Sequence, residues 1–289
     1  MSMRLAHLSD LHFGRPASPE RVLSLEENLL ANRPQLLVIT GDITDRGRVS
    51  QFRRAHNFLN NMNVPFIAVP GNREVSISAF WEWVFPRVAM HRFRIFFGQS
   101  DRILWQSEKL KLVFLGLNSV HPFPSWPGRI ARETRYWLKE QAAKLCDYRK
   151  ILFLHHPVMP VMRGSSFWAH TLSDAGQLLN ICAETGICLI LQGHKHRSSI
   201  LEVNIPTRNA KVVVSAAGAP LASRWDPSYH LIDILPNELV ITVCEFIEKE
   251  FVETDSYRFS LPDPPKNDKR SDLEFDSNNS TQVLTRTPA

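Results

Sequence analysis

The chain lacks most of the features that would tie it to a cell exterior, a membrane or a polyanion. Its four cysteines, Cys146, Cys182, Cys188 and Cys244, stand far apart with no C-x-x-C pair. That excludes a disulfide scaffold, and the cysteines read as small apolar core residues in a reducing compartment. No segment approaches the ~20 apolar residues of a membrane span. The N-terminal apolar stretch is broken by His7 and Asp10, too early for a signal peptide. There is no internal repeat, no dense cationic tract and no heptad pattern. With 34 Lys+Arg against 29 Asp+Glu, the formal charge is only +5. A protein living on phosphate-backbone contacts would be far more basic, so nucleic acid is not the expected partner. A cytoplasmic protein is expected.

What is present is a core. In 289 residues, 44% are hydrophobic and 10% aromatic, enough for one or two buried domains. Residues 262–289 differ, opening with Pro262-Asp-Pro-Pro-Lys and continuing in Asp, Asn, Ser and Thr. They have little to bury and read as a disordered tail.

Apolar runs at Arg4–Leu8, Leu36–Thr40, Phe66–Val69, Leu112–Leu117, Ile151–Leu154 and Ile187–Leu191 predict buried strands, apolar on both faces. Amphipathic stretches at Pro19–Ala31, Val49–Asn61, Ala131–Leu145 and Leu172–Glu184 predict helices. The first of them is capped by Ser18 with Pro19 in its first turn. From Ser199 the pattern becomes strand after strand: Ser199–Asn204, Lys211–Ser215, Tyr229–Ile234 and Leu239–Glu248. Strand–helix alternation followed by a run of strands suggests two sheets packed together, with helices outside.

The chemistry follows the strands. Ser9-Asp10-Leu11-His12 ends the first, Gly41-Asp42-Ile43-Thr44-Asp45 the second and Pro70-Gly71-Asn72-Arg73-Glu74 the third. His155-His156-Pro157 ends the fifth and Gln192-Gly193-His194-Lys195-His196 the sixth. Ligands of open α/β sheets gather beyond the carboxyl ends of strands, so one crevice would receive Asp, His, Asp, Asn and three His. Glycines 41, 71 and 193 fit tight turns that bring backbone close to a ligand. Carboxylate, imidazole and amide donors without thiolate suit Mn, Fe, Zn, Ni or Co. Seven exceed the three typical of one catalytic zinc but serve two metals about 3.5–4 Å apart. Asp-x-His and His-x-His would each place two side chains on one side of an extended segment.

The order resembles the D-x-H, G-D-x-x-D, G-N-H-[DE], H-x-P, G-H-x-H of the calcineurin-like metallophosphoesterase superfamily, in its bacterial phosphodiesterase-like branch. The resemblance implies an α/β fold, a four-layer αββα sandwich of two mixed sheets flanked by helices, over a single domain of residues 1–261. It implies one metal on Asp10, His12, Asp42 and His196. A second would sit on Asp42, Asn72, His155 and His194, with Asp42 bridging. His155 is chosen over His156 because the family's ligand stands two residues before the proline. Two divalent ions are expected, manganese first, iron or zinc next. Such a pair generates hydroxide at neutral pH, neutralises phosphoryl oxygens and holds an ester in line.

The chain departs from the family's Gly-Asn-His at Arg73. Arginine cannot act as a general acid near neutral pH, but it clamps phosphate oxygens and stabilises developing charge. That suits a leaving group already good, as in a pyrophosphate. The UDP-2,3-diacylglucosamine hydrolases of lipid A biosynthesis are similar in carrying Gly-Asn-Arg-Asp at this motif. The expected function is therefore metal-dependent hydrolysis of a phosphodiester or pyrophosphate, with Asp42 and Arg73 in catalysis. The substrate alternatives are UDP-2,3-diacylglucosamine and a cyclic-nucleotide or general phosphodiester. From another class, the alternative is a binding or scaffold protein that has lost catalysis; retention of all seven ligand types argues against it.

Residues 79–107 form an aromatic and basic insertion, read as a core-packed helix over 79–97 or a surface for an acyl chain and the inner membrane face. The loop from Val158 to His170 follows His155. His156, Arg163 and His170, with Arg73, are the substrate-binding candidates. Asp45 and Glu74 read as supports for the ligands or as turn formers. His7, His56, His91, His121 and His230 match no motif and read as structural or solvated.

Overall fold

The six runs that are apolar on both faces are so because each face meets a different layer. The computed structural model describes residues 2–15, 17–75, 90–98, 100–121, 127–161, 171–223 and 226–261. Its elements run β1 (Met3–Leu8), α1 (Pro19–Asn32), β2 (Leu36–Thr40), α2 (Val49–Asn61), β3 (Phe66–Val69), α3 (His91–Phe97), β4 (Arg102–Ser107), β5 (Leu112–Leu117) and α4 (Arg132–Lys144). They continue with β6 (Arg149–Phe153), α5 (Ala175–Thr185), β7 (Ile187–Gln192), β8 (Ser199–Ile205), β9 (Ala210–Ala216), β10 (Ser228–Ile234), β11 (Glu238–Ile247) and β12 (Glu250–Ser260).

Two mixed six-stranded sheets result, in the orders β12-β11-β10-β1-β2-β3 and β4-β5-β6-β7-β9-β8. In the first, β1, β2 and β3 are parallel. In the second, β5, β6, β7 and β9 are parallel. Alternation along each strand then sorts side chains between layers. Leu36 and Val38 of β2 join Phe114, Ile151 and Leu191 in the core between the sheets. Leu37 and Ile39 face the helices instead, packing with Leu25 and Leu29 of α1 and Phe52 and Leu59 of α2. On the far side, Val113, Leu115 and Leu152 meet Leu138 of α4 and Leu178 and Ile181 of α5. Three apolar interfaces make four layers, the αββα sandwich expected.

Helix α1 starts where its sequence predicts, with Ser18 Oγ accepting the Arg21 N–H at 3.2 Å and Pro19 in the first turn. Two strands escaped the sequence reading, β4 and β12. Both are sheet edges. β12 buries only Phe251 among its eleven residues, and β4 is half-exposed throughout, so neither has the doubly apolar pattern of an inner strand. The stretch 79–107 accordingly contains a helix, α3, and then a sheet strand, β4; residues 79–89 lie outside the described ones. Residues 262–289 lie outside them as well. No helix among the described residues is long and apolar enough to cross a membrane.

Candidate metal centre

Both sheets aim the carboxyl ends of their parallel strands at one crevice. The first sheet sends Asp10 and His12 after β1, Asp42 after β2 and Asn72 after β3; the second sends His155 after β6 and His194 and His196 after β7. The loops are laced by backbone. Asp10 N–H donates to Gly41 C=O at 3.0 Å, His12 N–H to Asp42 C=O at 2.9 Å, and Gly193 N–H to His155 C=O at 3.0 Å.

The expectation of extended D-x-H and H-x-H segments is corrected here. Asp10, His12, Asp42, His194 and His196 all adopt left-handed backbone, with φ of 52°, 47°, 48°, 75° and 54°. For non-glycine residues that conformation costs about 1–2 kcal/mol each. His194 centres a three-residue turn closed by Lys195 N–H on Gly193 C=O at 2.9 Å, a strained geometry. The chain turns at each of these residues rather than running straight, which curls their side chains inward from short loops.

The glycines serve the loops more than a ligand. A Cβ on Gly71 would lie 2.2 Å from Asp42 N and 2.3 Å from its Oδ1, and one on Gly193 would lie 1.9 Å from Ser9 Oγ. Glu74, fully buried, ties the same loops together. Its Oε1 accepts Thr44 N–H at 2.8 Å and the Thr44 hydroxyl at 2.9 Å, while Oε2 accepts Gly71 N–H at 2.7 Å. Burial, then the nearby Asp42 charge, pushes the Glu74 carboxyl up to about 8.

All seven predicted donors come together. One atom each from Asp10, His12, Asp42 and His196 lies within 4.8 Å of the others. His12 Nε2 and His196 Nε2 are 3.0 Å apart, and His196 Nε2 is 3.1 Å from Asp10 Oδ1. Alongside, Asn72 Oδ1 is 3.1 Å from both His155 Nε2 and His194 Nδ1, which are themselves 3.1 Å apart. Asp42 stands between the groups, with Oδ2 3.8 Å from His12 Nε2 and Oδ1 3.5 Å from His155 Nε2.

Support from behind sets the tautomers and orientations. His155 Nδ1–H donates to Thr40 C=O at 2.8 Å, leaving the Nε2 lone pair to face Asn72 and His194. Asp10 Oδ2 accepts the Ser9 hydroxyl at 2.5 Å and His194 N–H at 2.9 Å. Its other oxygen, Oδ1, is buried and faces His196 Nε2 at 3.1 Å and His12 Nε2 at 3.9 Å. Burial alone would raise the Asp10 carboxyl, but the charges of His196, His155 and His12 and the His196 hydrogen bond outweigh it and hold it well below the usual range. Burial pushes His12 down to about 4 despite Asp42 and Asp10. His196 moves up, because Asp10 and Asp42 overcome its burial. Two buried carboxylates beside converging imidazole nitrogens and an amide oxygen are a donor set that fits divalent cations.

The sequence profile of the family described as calcineurin-like phosphoesterase matches residues 3–198. The chain belongs to that family. A relative, the glycerophosphodiester phosphodiesterase GpdQ of Enterobacter lignolyticus, is 25% identical over 213 residues, 69% of this chain and 73% of that protein. The cAMP/cGMP dual specificity phosphodiesterase of Mycobacterium tuberculosis is 26% identical over 264 residues, 83% of this chain and 78% of that protein. A dimetal phosphatase from Danio rerio shares the fold with a TM-score of 0.58 at 13% identity, over 87% of this chain and 98% of that one. Family and relatives together support a metal-dependent phosphoester hydrolase. The expectations of a lipid A precursor as substrate and of membrane contact gain no support from them.

Around the phosphoesterase centre, the remaining candidates fall in different places. Arg73 N–H donates to Asp42 Oδ1 at 2.9 Å, and its Nε lies 4.0 Å from Asp42 Oδ2 without a hydrogen-bond partner among the described residues. His156, expected at the substrate, is fully buried. Its Nδ1 is 2.9 Å from Ser119 Oγ and its ring centroid 4.7 Å from that of His194. Burial, then His155 and His194, hold His156 well below the ordinary imidazole range. Arg163 and His170 lie outside the described residues. Ser9, Thr40 and Ser119 went unread in the sequence, although Ser9 adjoins Asp10 and Thr40 precedes the Gly-Asp pair.

Proposed function

We propose that this phosphoesterase hydrolyses phosphodiester bonds of small phosphorylated molecules at two divalent ions. One is held by Asp10, His12, Asp42 and His196, the other by Asp42, Asn72, His155 and His194, with manganese the first candidate. The observation that carries the reading is Asp42, whose two oxygens face different donor groups, 3.8 Å from His12 and 3.5 Å from His155. When bound, such a pair supplies Lewis-acid polarisation of phosphoryl oxygens and lowers the pKa of water at the site.

The chain's own residues do the rest. Thr40 and Ser9 lock His155 and Asp10 in orientation before any ligand arrives. Arg73 reaches the same crevice as a fixed cation, clamping phosphate oxygens and stabilising charge on the departing group. It has no proton to give at neutral pH, so the leaving group departs on charge stabilisation alone. His156, buried behind His194, positions that histidine.

The relatives named for glycerophosphodiesters and cyclic nucleotides favour a phosphodiester as substrate. Arg73 favours a second reading, a pyrophosphate such as UDP-2,3-diacylglucosamine. The test is hydrolysis of bis(p-nitrophenyl) phosphate and of a nucleotide pyrophosphate by the Mn²⁺-loaded protein. Turnover that falls about a thousandfold in Asp42→Asn supports the reading. Stoichiometric metal with no turnover of either substrate contradicts it. Arg73→His is expected to shift preference toward the poorer leaving group, and an unchanged preference removes the pyrophosphate reading.

A further inference from the structure

Beside the metal centre lies a cavity of about 530 Å³ whose walls carry Arg15, Arg46, Arg48 and Arg73. Among the described residues Asp45 is the single carboxylate lining it, an excess of three positive charges over those residues. We propose that this cavity is a second anion subsite, which takes a phosphate monoester group of the substrate other than the phosphate that is cleaved. The inference rests on the phosphodiesterase reading and names the substrate class: diesters bearing a further phosphate.

Arg73 links the two sites. It lines the cavity while its Nε, buried and without a hydrogen-bond partner among the described residues, lies 4.0 Å from Asp42 Oδ2. A phosphate in the cavity is therefore a near neighbour of the cleaved group.

The loop backbone that carries the arginines is fixed, while the Arg46 and Arg48 side chains themselves are exposed to solvent at the rim. Gln51 Oε1 accepts Arg46 N–H at 2.9 Å and Arg48 N–H at 3.3 Å, and Thr44 Oγ1 accepts Gly47 N–H at 3.1 Å. Arg92 closes the loop from outside, donating to Gly47 C=O at 3.0 Å. Asp45 holds Arg15 Nε at 2.5 Å and Arg46 Nε at 3.4 Å, so one carboxylate orients two guanidiniums without neutralising the group. Helix α2 begins at this wall with no acidic residue in its first turn, so its N-terminal dipole adds to the same field. Planar guanidinium forks match a phosphate better than any other side chain does. The volume is within the range of small-ligand pockets, roughly 300–1,000 Å³.

A matched pair of substrates tests this in the metal-loaded full chain: thymidine 5′-(p-nitrophenyl phosphate) and the same ester carrying a 3′-phosphate. They share the scissile bond and leaving group. The subsite predicts a kcat/KM about tenfold or more higher for the 3′-phosphorylated ester, carried by KM. In Arg46→Gln/Arg48→Gln that ratio falls to about one, while Arg46→Lys/Arg48→Lys keeps part of it. Arg132→Gln, on α4, keeps it whole. A wild-type ratio near one, or a ratio that survives the double glutamine variant, overturns the proposal. Calorimetric binding of thymidine 3′,5′-bisphosphate against the 5′-monophosphate provides a readout free of turnover. If neither ester is hydrolysed yet the binding ratio depends on Arg46 and Arg48, the subsite stands and the hydrolase reading falls. If both are hydrolysed with equal KM, the reverse holds. An oligothymidylate without terminal phosphates that outcompetes the bisphosphate would mark a nucleic-acid track and also overturn the subsite.

Discussion

The two halves of the candidate metal centre are built on different principles. Asp10, His12, Asp42 and His196 bring two carboxylates, and every one of them sits in left-handed backbone. Asn72, His155 and His194 bring no carboxylate of their own, and only His194 shares that backbone strain. In the first half, charge moves the protons: His196 is drawn up by Asp10 and Asp42 over its burial, and Asp10 is held down by imidazoles. In the second, a single backbone carbonyl, Thr40, fixes His155 by hydrogen bonding. The charged half is held by electrostatics and curled loops, and the neutral half by tautomer and orientation. Asp42 is the one side chain that faces both.

The largest expected effect breaks that link. Asp42→Asn should lower kcat/KM for a phosphodiester about a thousandfold, at least tenfold more than Asn72→Ala, which touches one half. Equal losses in steady-state kinetics would erase the asymmetry. Next comes Gly71→Ala, whose new Cβ meets Asp42 N at 2.2 Å. It should cut activity about a hundredfold and lower Tm, whereas Gly176→Ala, with open space around it, should leave activity intact. Thermal melts and rates read both. Smaller again is Ser9→Ala, which removes one of the two donors to Asp10 Oδ2. Metal affinity should weaken about 10–100-fold, with activity recovering at saturating Mn²⁺. If activity stays low under saturation, Ser9 does more than hold Asp10.

Much of this was legible from the chain. Doubly apolar runs predicted six strands that the sheets contain, and the residues after five of them are the donors that converge on one crevice. The edge strands β4 and β12 were not legible, since β12 buries only Phe251 and β4 buries none of its residues. Left-handed backbone at Asp10 and His12 was invisible because nothing in D-x-H distinguishes a turn from an extended pair. Arg15, Arg46 and Arg48 belong to no motif of the sequence, and folding sets them around one cavity with Arg73. Proximity of that kind is tertiary information.

The smallest expected effect concerns a buried polar chain between the sheets. His7 Nε2 is 3.0 Å from Thr40 Oγ1 and its Nδ1 3.3 Å from Ser215 Oγ, which is 2.7 Å from His230 Nδ1. Ser198 Oγ lies 2.7 Å from His230 Nε2. Burial pushes His230 down to about 3, and burial with His230 holds His7 well below its ordinary value. Both are neutral when folded and take a proton when unfolded. Stability from these groups is therefore full above the unfolded value of about 6.5 and is lost as pH falls toward 3. Each contributes a slope of up to about 1.4 kcal/mol per pH unit in that window. Urea melts from pH 7 to 4 should show a shallower fall in His230→Asn than in the parent chain. An identical slope would mean that His230 is protonated inside the fold.

The central claim, two cations joined by one shared carboxylate, is most directly tested by metal stoichiometry after Mn²⁺ loading and gel filtration. The account predicts about two ions per chain in the parent, about one in His12→Gln, about one in His155→Gln and fewer than one in Asp42→Asn. A parent that holds a single ion, or an Asp42→Asn variant that keeps two, would contradict it.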